Sequence, residues 1–429
     1  MGHVSRRPLS SMITAGDVRV EVVMQFAPVR RLDDGSLAAA ELQLRGLAGS
    51  ALNTPDSLRR AARLMEQKPA FDRQKVEFSG SAPARAVADL LPLLVTLDME
   101  SIQTDPSTAA AFSATDESLQ RLVLSVSPDR LIADPQRTLA AVAEARAAGR
   151  MICVDGMGVD HHAVTLLPLV EPDIIITGPD LLTRTTDPDM AEVAHALAAH
   201  VERSHAVIVA EGVDTEELRL AAMTIGATYG IGALYPPVAD PADLVDETIV
   251  PLPGAPVWST PDALAATPYA LASRVGTPRR GTKRLLVEMS KSLEAQAAAV
   301  GQAMIVVGTF QHAQHFTALT SERWHRLADI TGFAGVYGVG LSHMLDGNIQ
   351  HAPLDPEDDL VNEWTVAVLG PHFSALLSAR DLHDNGPDLE RTFDFIQSFD
   401  RMTVTQAVHT ILTRFTSAAT TPAAVAEPA

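Results

Sequence analysis

The feature that most constrains the fold is an alternation of short β-branched runs with amphipathic segments, between about Leu119 and Pro237. The runs RLVLSVS, MICVDG, PDIIITG and HAVIVAEG each precede a turn and a helical segment. The helix after the first run has typical end signals, with Asp134 at the N-cap, Pro135 at the first helical position and Gly149 at its end. Strands that alternate with helices at this pitch are expected to be parallel neighbours.

Two further runs precede this region and extend the predicted sheet. VEVVMQFAPVRRL and SLAAAELQLRG flank DDG, a typical hairpin turn, and LPLLVTLD follows a helical segment. Together they give seven or eight strands over roughly 240 residues, which predicts a TIM-like (β/α)8 barrel. Because the C-terminal ends of barrel strands form one face, Glu41, Asp155 and Glu211 are expected to converge there.

The rest of the chain predicts a second, smaller α/β domain. Residues after 245 are rich in proline and have no sustained period, which indicates a linker, and periodic segments resume at Lys283. The predicted division is a flexible N-terminus at 1–16, a barrel at 17–245, a linker at 246–282, the second domain at 283–416 and a disordered tail at 417–429.

Charge and cysteine content exclude several classes of partner and site. A formal net charge of −20 opposes binding to nucleic acid or to an anionic membrane surface. The one cysteine, Cys153, excludes an intramolecular disulfide and a cysteine-rich zinc site. The N-terminus has no apolar leader, and the apolar runs are far shorter than the roughly 20 residues of a membrane span. We therefore predict a cytoplasmic protein whose partners are neither nucleic acid nor membrane.

Three separated blocks carry motifs that occur together in one known family. They are FAPVRRLDDGSLAAAELQLRG, which places Glu41 and Arg45 at the first and last positions of E-A-x-L-R, ICVDGMGVDHHAV, and VIVAEGVDTEELRLAAMTIGATYGIGALYPPV. In order and spacing they resemble the opening hairpin, the D-D-F-G-T-G loop and the A-E-G-V-E block of the EAL cyclic di-GMP phosphodiesterases. The resemblance covers roughly residues 17 to 240 and implies a barrel with an antiparallel first strand.

The resemblance also implies which residues would form a phosphodiesterase site. Glu41, Asp155 and Glu211 match carboxylates of the family motifs, and Arg45 matches an arginine able to contact phosphate. Hydrolysis would use two metal ions about 3.5 to 4 Å apart, such as Mg²⁺ or Mn²⁺, bound by oxygen ligands. No other cofactor is expected, and either ion is expected only if the divergent site is active.

Most other polar positions of the family site are occupied here by residues of different chemistry. They are Ala27 and Ile231 for two glutamines, Thr96 for an asparagine, Ser125 for a glutamate, Gly156 for the second loop aspartate, and Ile176 and Gly178 for the lysine and aspartate of K-I-D. Each lost group can cost a few kcal/mol of transition-state stabilisation, and about 1.36 kcal/mol is already tenfold in rate. We therefore predict a barrel without hydrolytic activity.

The second domain carries its own distinctive residues. They are Phe310 and Gln311 in AMIVVGTFQHAQHF, Trp364 in NEWTVAVLG, and Arg380 with Asp381 in LLSARD. These segments resemble the DICT sensory domain, which implies a sensing or docking role and leaves the ligand undefined.

Two functions stay open at this point. The first is a regulatory signalling protein whose barrel binds a protein partner, or binds cyclic di-GMP through Arg45 and the surviving Glu41, Asp155 and Glu211. The alternative is an active metal-dependent phosphodiesterase with a divergent site. Homodimerisation is an expectation from the family resemblance.

Several residues also have simpler structural interpretations. Asp155 could accept backbone hydrogen bonds at its strand end, and Glu41 could form a partly buried ion pair with Arg45. Asp214 and Glu217 resemble a capping box. Cys153 is expected to be a buried small hydrophobe.

Histidine pairs occur twice, at His161 with His162 and at His312 with His315. Neither pair is accompanied by a third ligand in the sequence, so solvated or capping roles are favoured over metal binding.

Overall fold

The computed structural model describes residues 9–15, 18–113, 121–158, 161–184, 186–245, 247–254 and 266–414. The chain divides into two compact units. One comprises Met1–Ser127, Glu144–Val159 and Glu171–Trp258, and the other comprises Pro128–Ala143, Asp160–Val170 and Ser259–Ala429. Among the described residues, no helix is both long and apolar enough to cross a membrane.

The first unit is built on a closed barrel of eight strands. Strands β2 to β9 pair in chain order, and β9 also pairs with β2, which closes the barrel. β2 runs antiparallel to both neighbours, and the other strands are parallel, as predicted for a TIM-like barrel with an antiparallel first strand. The strands are β1 Ser10–Ala15, β2 Val18–Arg31, β3 Leu37–Gly46, β4 Leu93–Asp98, β5 Arg121–Val126, β6 Met151–Met157, β7 Ile174–Thr177, β8 Val207–Glu211 and β9 Tyr229–Ile231.

Helices occur between these strands along the chain. They are α1 Pro55–Leu64, α2 Lys68–Ser79, α3 Ala82–Leu90, α4 Met99–Thr104, α5 Pro106–Ser113, α6 Pro128–Ala133, α7 Pro135–Ala147, α8 His161–Val170, α9 Asp180–Thr183, α10 Pro188–Arg203 and α11 Glu216–Thr224. The N-cap predicted at Asp134 is confirmed, because its Oδ1 accepts a hydrogen bond from Arg137 N at 3.1 Å. The cap predicted at Asp214 is wrong: Thr215 caps α11, and Asp214 Oδ1 accepts from Ala233 N at 2.7 Å.

The interior of the barrel is aliphatic, as expected for a chain with 4% aromatic residues. One buried cluster includes small residues from β2 and β3 and β-branched residues from the later strands. The hairpin between β2 and β3 turns at Gly35, whose φ of 74° lies in the left-handed region that glycine adopts without strain.

The second unit is built on a mixed sheet of eight strands in the order β10-β17-β16-β15-β11-β12-β14-β13. β12 is parallel to β11 and β14, and the other pairs are antiparallel. The elements are α12 Pro268–Ser273, β10 Arg279–Thr282, α13 Lys283–Val300, β11 Ile305–His312, α14 Ala318–Ala328, β12 Phe333–Val339, β13 Met344–Asp346, β14 Ile349–Pro353, β15 Glu363–Leu369, β16 Ser374–Asp381, β17 Thr392–Ser398 and α15 Arg401–Leu412. This is the predicted smaller α/β domain.

Two segments assigned no structure from the sequence are ordered. Ser10–Ala15, within the predicted flexible N-terminus, forms β1 and pairs with the antiparallel β2. Residues 268–282, within the predicted linker, include α12 and β10, and β10 pairs with β17. Both strands are too short to show a period, and the proline content of 246–282 favoured a linker there. The predicted tail beyond residue 416 lies outside the described residues.

Candidate functional site

A line of polar side chains runs along one face of β3. Glu41, Gln43 and Arg45 occupy alternate positions, so they point to the same side of the sheet. Glu41 is buried, and its two oxygens accept hydrogen bonds from Gln43 Nε2 at 2.7 Å and Thr96 Oγ1 at 3.4 Å. Neutral donors therefore hold this carboxylate.

Arg45 connects to the same line through a second strand. Its Nε donates to Gln25 Oε1 at 2.9 Å, and Gln25 Nε2 donates to Gln43 Oε1 at 3.3 Å. The direct ion pair of Glu41 with Arg45 suggested by the sequence is wrong. Residues i and i+4 of a strand lie about 13 Å apart, so the two side chains are linked only through glutamines.

An arginine from α1 contacts the late carboxylate. Thr54 caps this helix, and Arg59 lies in its second turn. Arg59 Nη2 lies 3.0 Å from each oxygen of the buried Glu211 at the end of β8, and 2.7 Å from Asp56 Oδ1. The sequence offered no sign of this contact, because one arginine on an amphipathic helix is usually a solvated residue.

Three acidic residues share this guanidinium electrostatically. Glu211, Asp155 and Glu41 all favour the charged form of Arg59 and raise its pKa. Burial raises the pKa of Glu211 to about 8, and repulsion by Asp155 and Glu41 adds to the rise, although Arg59 opposes it. One cation cannot neutralise three carboxylates, so we infer that the cluster takes up a proton near neutral pH. Glu41 and Asp155 thus act on the same guanidinium that Glu211 contacts, and the convergence of the three acids in one site stays a prediction.

The C-terminal part of β6 retains one aspartate. Asp155 is half-buried at the strand end, and Gly156 has a φ of 73°. A Cβ at position 156 would meet no atom within 4 Å. Glycine is therefore favoured there by the backbone conformation and not by a lack of room for a side chain. An aspartate there would have to adopt a left-handed backbone, which L side chains rarely do.

The three positions with the largest change of chemistry are buried in apolar surroundings. Ala27, Ile176 and Ile231 belong to one hydrophobic cluster inside the barrel. Their side chains are 2%, 6% and 8% exposed. The place where the resemblance implies a lysine and two glutamines is therefore part of the core.

Ser125 and Gly178, two further replacements, have other partners. The Ser125 hydroxyl contacts the thiol of Cys153, which is fully buried, and burial raises the pKa of that thiol. This confirms Cys153 as a small buried residue. A Cβ at Gly178 would lie 2.7 Å from Asp180 Oδ1, so the Asp180 carboxylate fills the space that a side chain at position 178 would need.

Two lysines of α2 add positive charge near the strand ends. Lys75 Nζ donates to the carbonyl oxygen of Thr96 at 2.8 Å and lies 3.7 Å from Asp72 Oδ1. Lys68 pairs with Asp98. Burial lowers the pKa of Lys68 and raises that of Asp72. Like Arg59, these lysines were not singled out from the sequence.

The residues present do not fit a two-metal centre. In the described part of the chain, no group of three or more His, Cys, Asp or Glu side chains is placed to hold a metal ion. Glu211 contacts the Arg59 guanidinium, and the positions that replace other family ligands are threonine, serine, glycine and isoleucine.

Among the described residues, the pair His312 and His315 has no third metal ligand beside it. The side chains of His161 and His162 lie outside what the structure describes. His312 ends β11, and the His315 ring is 5.8 Å from it between centroids, with its Nδ1 3.1 Å from the carbonyl oxygen of Phe310.

Comparison with known proteins identifies both parts of the chain. Residues 9–237 match the EAL domain model, and residues 268–382 match the model of DICT, described as a sensory domain in diguanylate cyclases and two-component systems. No curated protein was found to match the chain.

Solved structures with detectable similarity include three EAL proteins. The EAL enzyme Bd1971, solved with cAMP and cyclic di-GMP bound, is 15% identical with a TM-score of 0.38, over 52% of this chain and 64% of its own. The Xanthomonas citri FimX EAL domain in complex with c-diGMP is 15% identical with a TM-score of 0.39, over 50% and 87%. The EAL domain of Mycobacterium smegmatis DcpA is 19% identical with a TM-score of 0.37, over 52% and 96%.

The extent of the EAL match decides the family. The match runs from residue 9 to residue 237 of 429, which is more than half of the chain, and the closed barrel with an antiparallel first strand lies within it. The protein belongs to the EAL domain family and carries a DICT sensory domain after its barrel.

Proposed function

We propose that this chain is a regulatory signalling protein whose EAL barrel does not hydrolyse cyclic di-GMP and is coupled to the DICT sensor. The observation that carries the proposal is the Arg59 guanidinium, 3.0 Å from both oxygens of Glu211 and interacting with Asp155 and Glu41. Hydrolysis through two metals needs these carboxylates as ligands. A fixed guanidinium competes with a metal ion for them and supplies no bound water.

The apolar replacements support the same conclusion. Water attack on a phosphodiester needs a group that orients or deprotonates the water. Ile176 and Ile231 lie in the hydrophobic cluster and offer no hydrogen-bonding atom on their side chains. Loss of both the metal ligands and the polar contacts removes several contributions to catalysis at once.

A barrel without hydrolysis can still bind a ligand or a partner. Arg45 is held by Gln25 with its guanidinium beside the polar line of β3, which suits contact with a phosphate. Two EAL structures similar to this chain were solved with cyclic di-GMP bound. The excess of carboxylates around Arg59 disfavours a dianionic nucleotide, whereas a protein partner needs none of the lost contacts. We therefore place a protein partner ahead of cyclic di-GMP, in a cytoplasmic protein that forms homodimers.

Incubation of the full chain with cyclic di-GMP and Mg²⁺ or Mn²⁺ tests the loss of hydrolysis. We expect no turnover above that of buffer with the same metal, measured by chromatography of the linear and mononucleotide products. Turnover abolished by Glu41→Ala, but unaffected by Glu217→Ala at an exposed position of α11, would instead establish the alternative of an active phosphodiesterase.

Calorimetric titration with cyclic di-GMP, without metal, separates a receptor from a scaffold. A scaffold for a protein partner gives no heat of binding at high nucleotide concentration. A complex that is weakened at least about tenfold by Arg45→Ala, roughly the loss of one charge-assisted contact, identifies a receptor. Arg60→Ala, on the exposed side of α1, is the matched control and should leave the titration unchanged.

A further inference from the structure

The second unit contains a cavity beside its central strands. Its volume is about 100 Å³, and it opens to solvent. The walls come from α13, α14, β11, β15 and β17, all within the matched or adjoining sensory segment. No residue of the barrel strands contributes to it.

Aromatic rings form one side of this cavity. Phe310, Trp364 and Phe393 line it, and the rings of Trp364 and Phe393 meet edge to face with centroids 6.2 Å apart. A closed apolar cavity of about 150 Å³ holds one benzene molecule. An open cavity of about 100 Å³ therefore has about the size that a single aromatic ring needs when its substituent extends into the opening.

An unpaired hydroxyl lines the opposite side. Ser290 of α13 is 3% exposed, and its buried Oγ has no hydrogen-bond partner among the described residues. A buried polar atom without a partner costs about 1 to 3 kcal/mol, so native structures rarely keep one without a use. Because Ser290 lines the cavity, a ligand there is the candidate partner for this hydroxyl.

The backbone beside the cavity is strained. Gln311 lines it, is 7% exposed, and has a φ of 57° at the point where the pairing of β11 with β12 shifts register. A non-glycine residue in this region costs about 1 to 3 kcal/mol, and such residues cluster at binding sites.

Positive charge predominates at the lining. Lys283 and Arg323 face the cavity, against one acid, Glu294. Glu294 is already engaged by Arg323 and by Trp324 Nε1 at 3.3 Å. Lys283 Nζ contacts Asp388 at 2.7 Å, but Asp388 is largely exposed, so water screens that pair.

One histidine, His315, also lines the cavity. Burial lowers the pKa of His315, and the nearby Lys283, His312 and Arg391 lower it further. The nearby Lys283 and Arg391 suit an anionic ligand better than a cationic one.

We propose that this cavity is the ligand site of the sensory unit and that it binds a small aromatic carboxylate. The ring packs against Trp364 and Phe393, the Ser290 hydroxyl donates to a ligand oxygen, and Lys283 provides the countercharge. This proposal rests on our proposed function, because it assigns a class of ligand to the sensory domain named there. It does not depend on loss of hydrolysis in the barrel, so the two can fail separately.

Binding of benzoate to the full chain tests the proposal, with benzamide as its neutral isostere. We expect saturation-transfer NMR and titration to give benzoate a Kd at or below about 1 mM, and benzamide to bind about tenfold more weakly. Absence of benzoate binding, or equal binding of benzamide, overturns the proposal.

Five variants on α13 locate the site. Ser290→Leu fills the cavity and should abolish binding, whereas Ser292→Leu at an exposed position should not. Lys283→Met should reduce benzoate affinity to that of benzamide, whereas Lys291→Met, at an exposed position, should leave it unchanged. Ser290→Ala, which keeps the fold if leucine does not, should weaken binding about threefold or more. Unchanged affinity in Ser290→Ala and Lys283→Met would assign the binding to another site.

Discussion

Replacing Arg59 with alanine is expected to lower the free energy of unfolding by about 2 kcal/mol at pH 7. With a pKa of about 8, Glu211 is mostly protonated at pH 7, so the main loss is a hydrogen bond from a charged donor, worth about 1.5 to 3 kcal/mol. The variant leaves Glu211, Asp155 and Glu41 without their shared cation. Urea unfolding of the full chain measures the loss, and Arg60→Ala on the exposed side of the same helix is the control.

The loss should also depend on pH in a defined direction. The folded-state pKa of Glu211, about 8, lies above its ordinary value. The contribution of Glu211 to the free energy of unfolding is therefore fully present below about pH 4.5 and is lost as the pH rises through 8. Without Arg59 the pKa of Glu211 rises further. The difference in free energy of unfolding between the wild type and Arg59→Ala, the deficit, should therefore widen by up to about 1.4 kcal/mol per pH unit above pH 8. Adding Glu211→Gln should remove the widening. A deficit that is constant from pH 6 to pH 9 would show that Arg59 acts through packing alone.

Replacing Glu294 with alanine is expected to destabilise the second unit by about 3 kcal/mol. Glu294 is 4% exposed and accepts hydrogen bonds from Arg323 and from Trp324 Nε1, so its removal leaves a guanidinium and an indole N–H without an acceptor. Trp324 is fully buried, so its fluorescence reports the loss of packing during urea unfolding.

Two comparisons check this second effect. Glu288→Ala, on the exposed side of the same helix, removes only a solvent-exposed pair with Lys291 and should change the stability by less than about 0.5 kcal/mol. Glu294→Gln keeps an acceptor for the indole and should recover part of the loss. Equal effects of the Glu288 and Glu294 substitutions would refute the role assigned to Glu294.

The barrel could be predicted from the sequence because its strands and helices alternate with clear periods. Each of the strands β5 to β8 is a run rich in β-branched residues that is followed by a helix. The DDG turn marks the hairpin at Gly35. The second sheet was harder to predict. The strand β16, Ser374–Asp381, is buried on both faces and shows no polar alternation, so it carried no period-2 signal. The domain limits assigned from the sequence stay predictions.

The candidate site was predictable only in part. Motif positions located Glu41, Asp155 and Glu211 and the replacements Gly156 and Ile176, because each lies within a barrel strand that the alternating pattern made recognisable. Arg59 was missed because a contact across 152 residues of chain leaves no trace in local spacing. Lys68 and Lys75 were missed for the same reason, since a charged residue on a helix is usually solvated.

Equilibrium titration of the full chain with Mn²⁺, with free Mn²⁺ followed by electron paramagnetic resonance, tests most directly whether Arg59 stands in place of the metals. We predict no micromolar site, because the Arg59 guanidinium contacts Glu211 and also attracts Glu41 and Asp155. One or two Mn²⁺ ions bound per chain with micromolar affinity, lost in Glu41→Ala and retained in Glu217→Ala, would contradict the account.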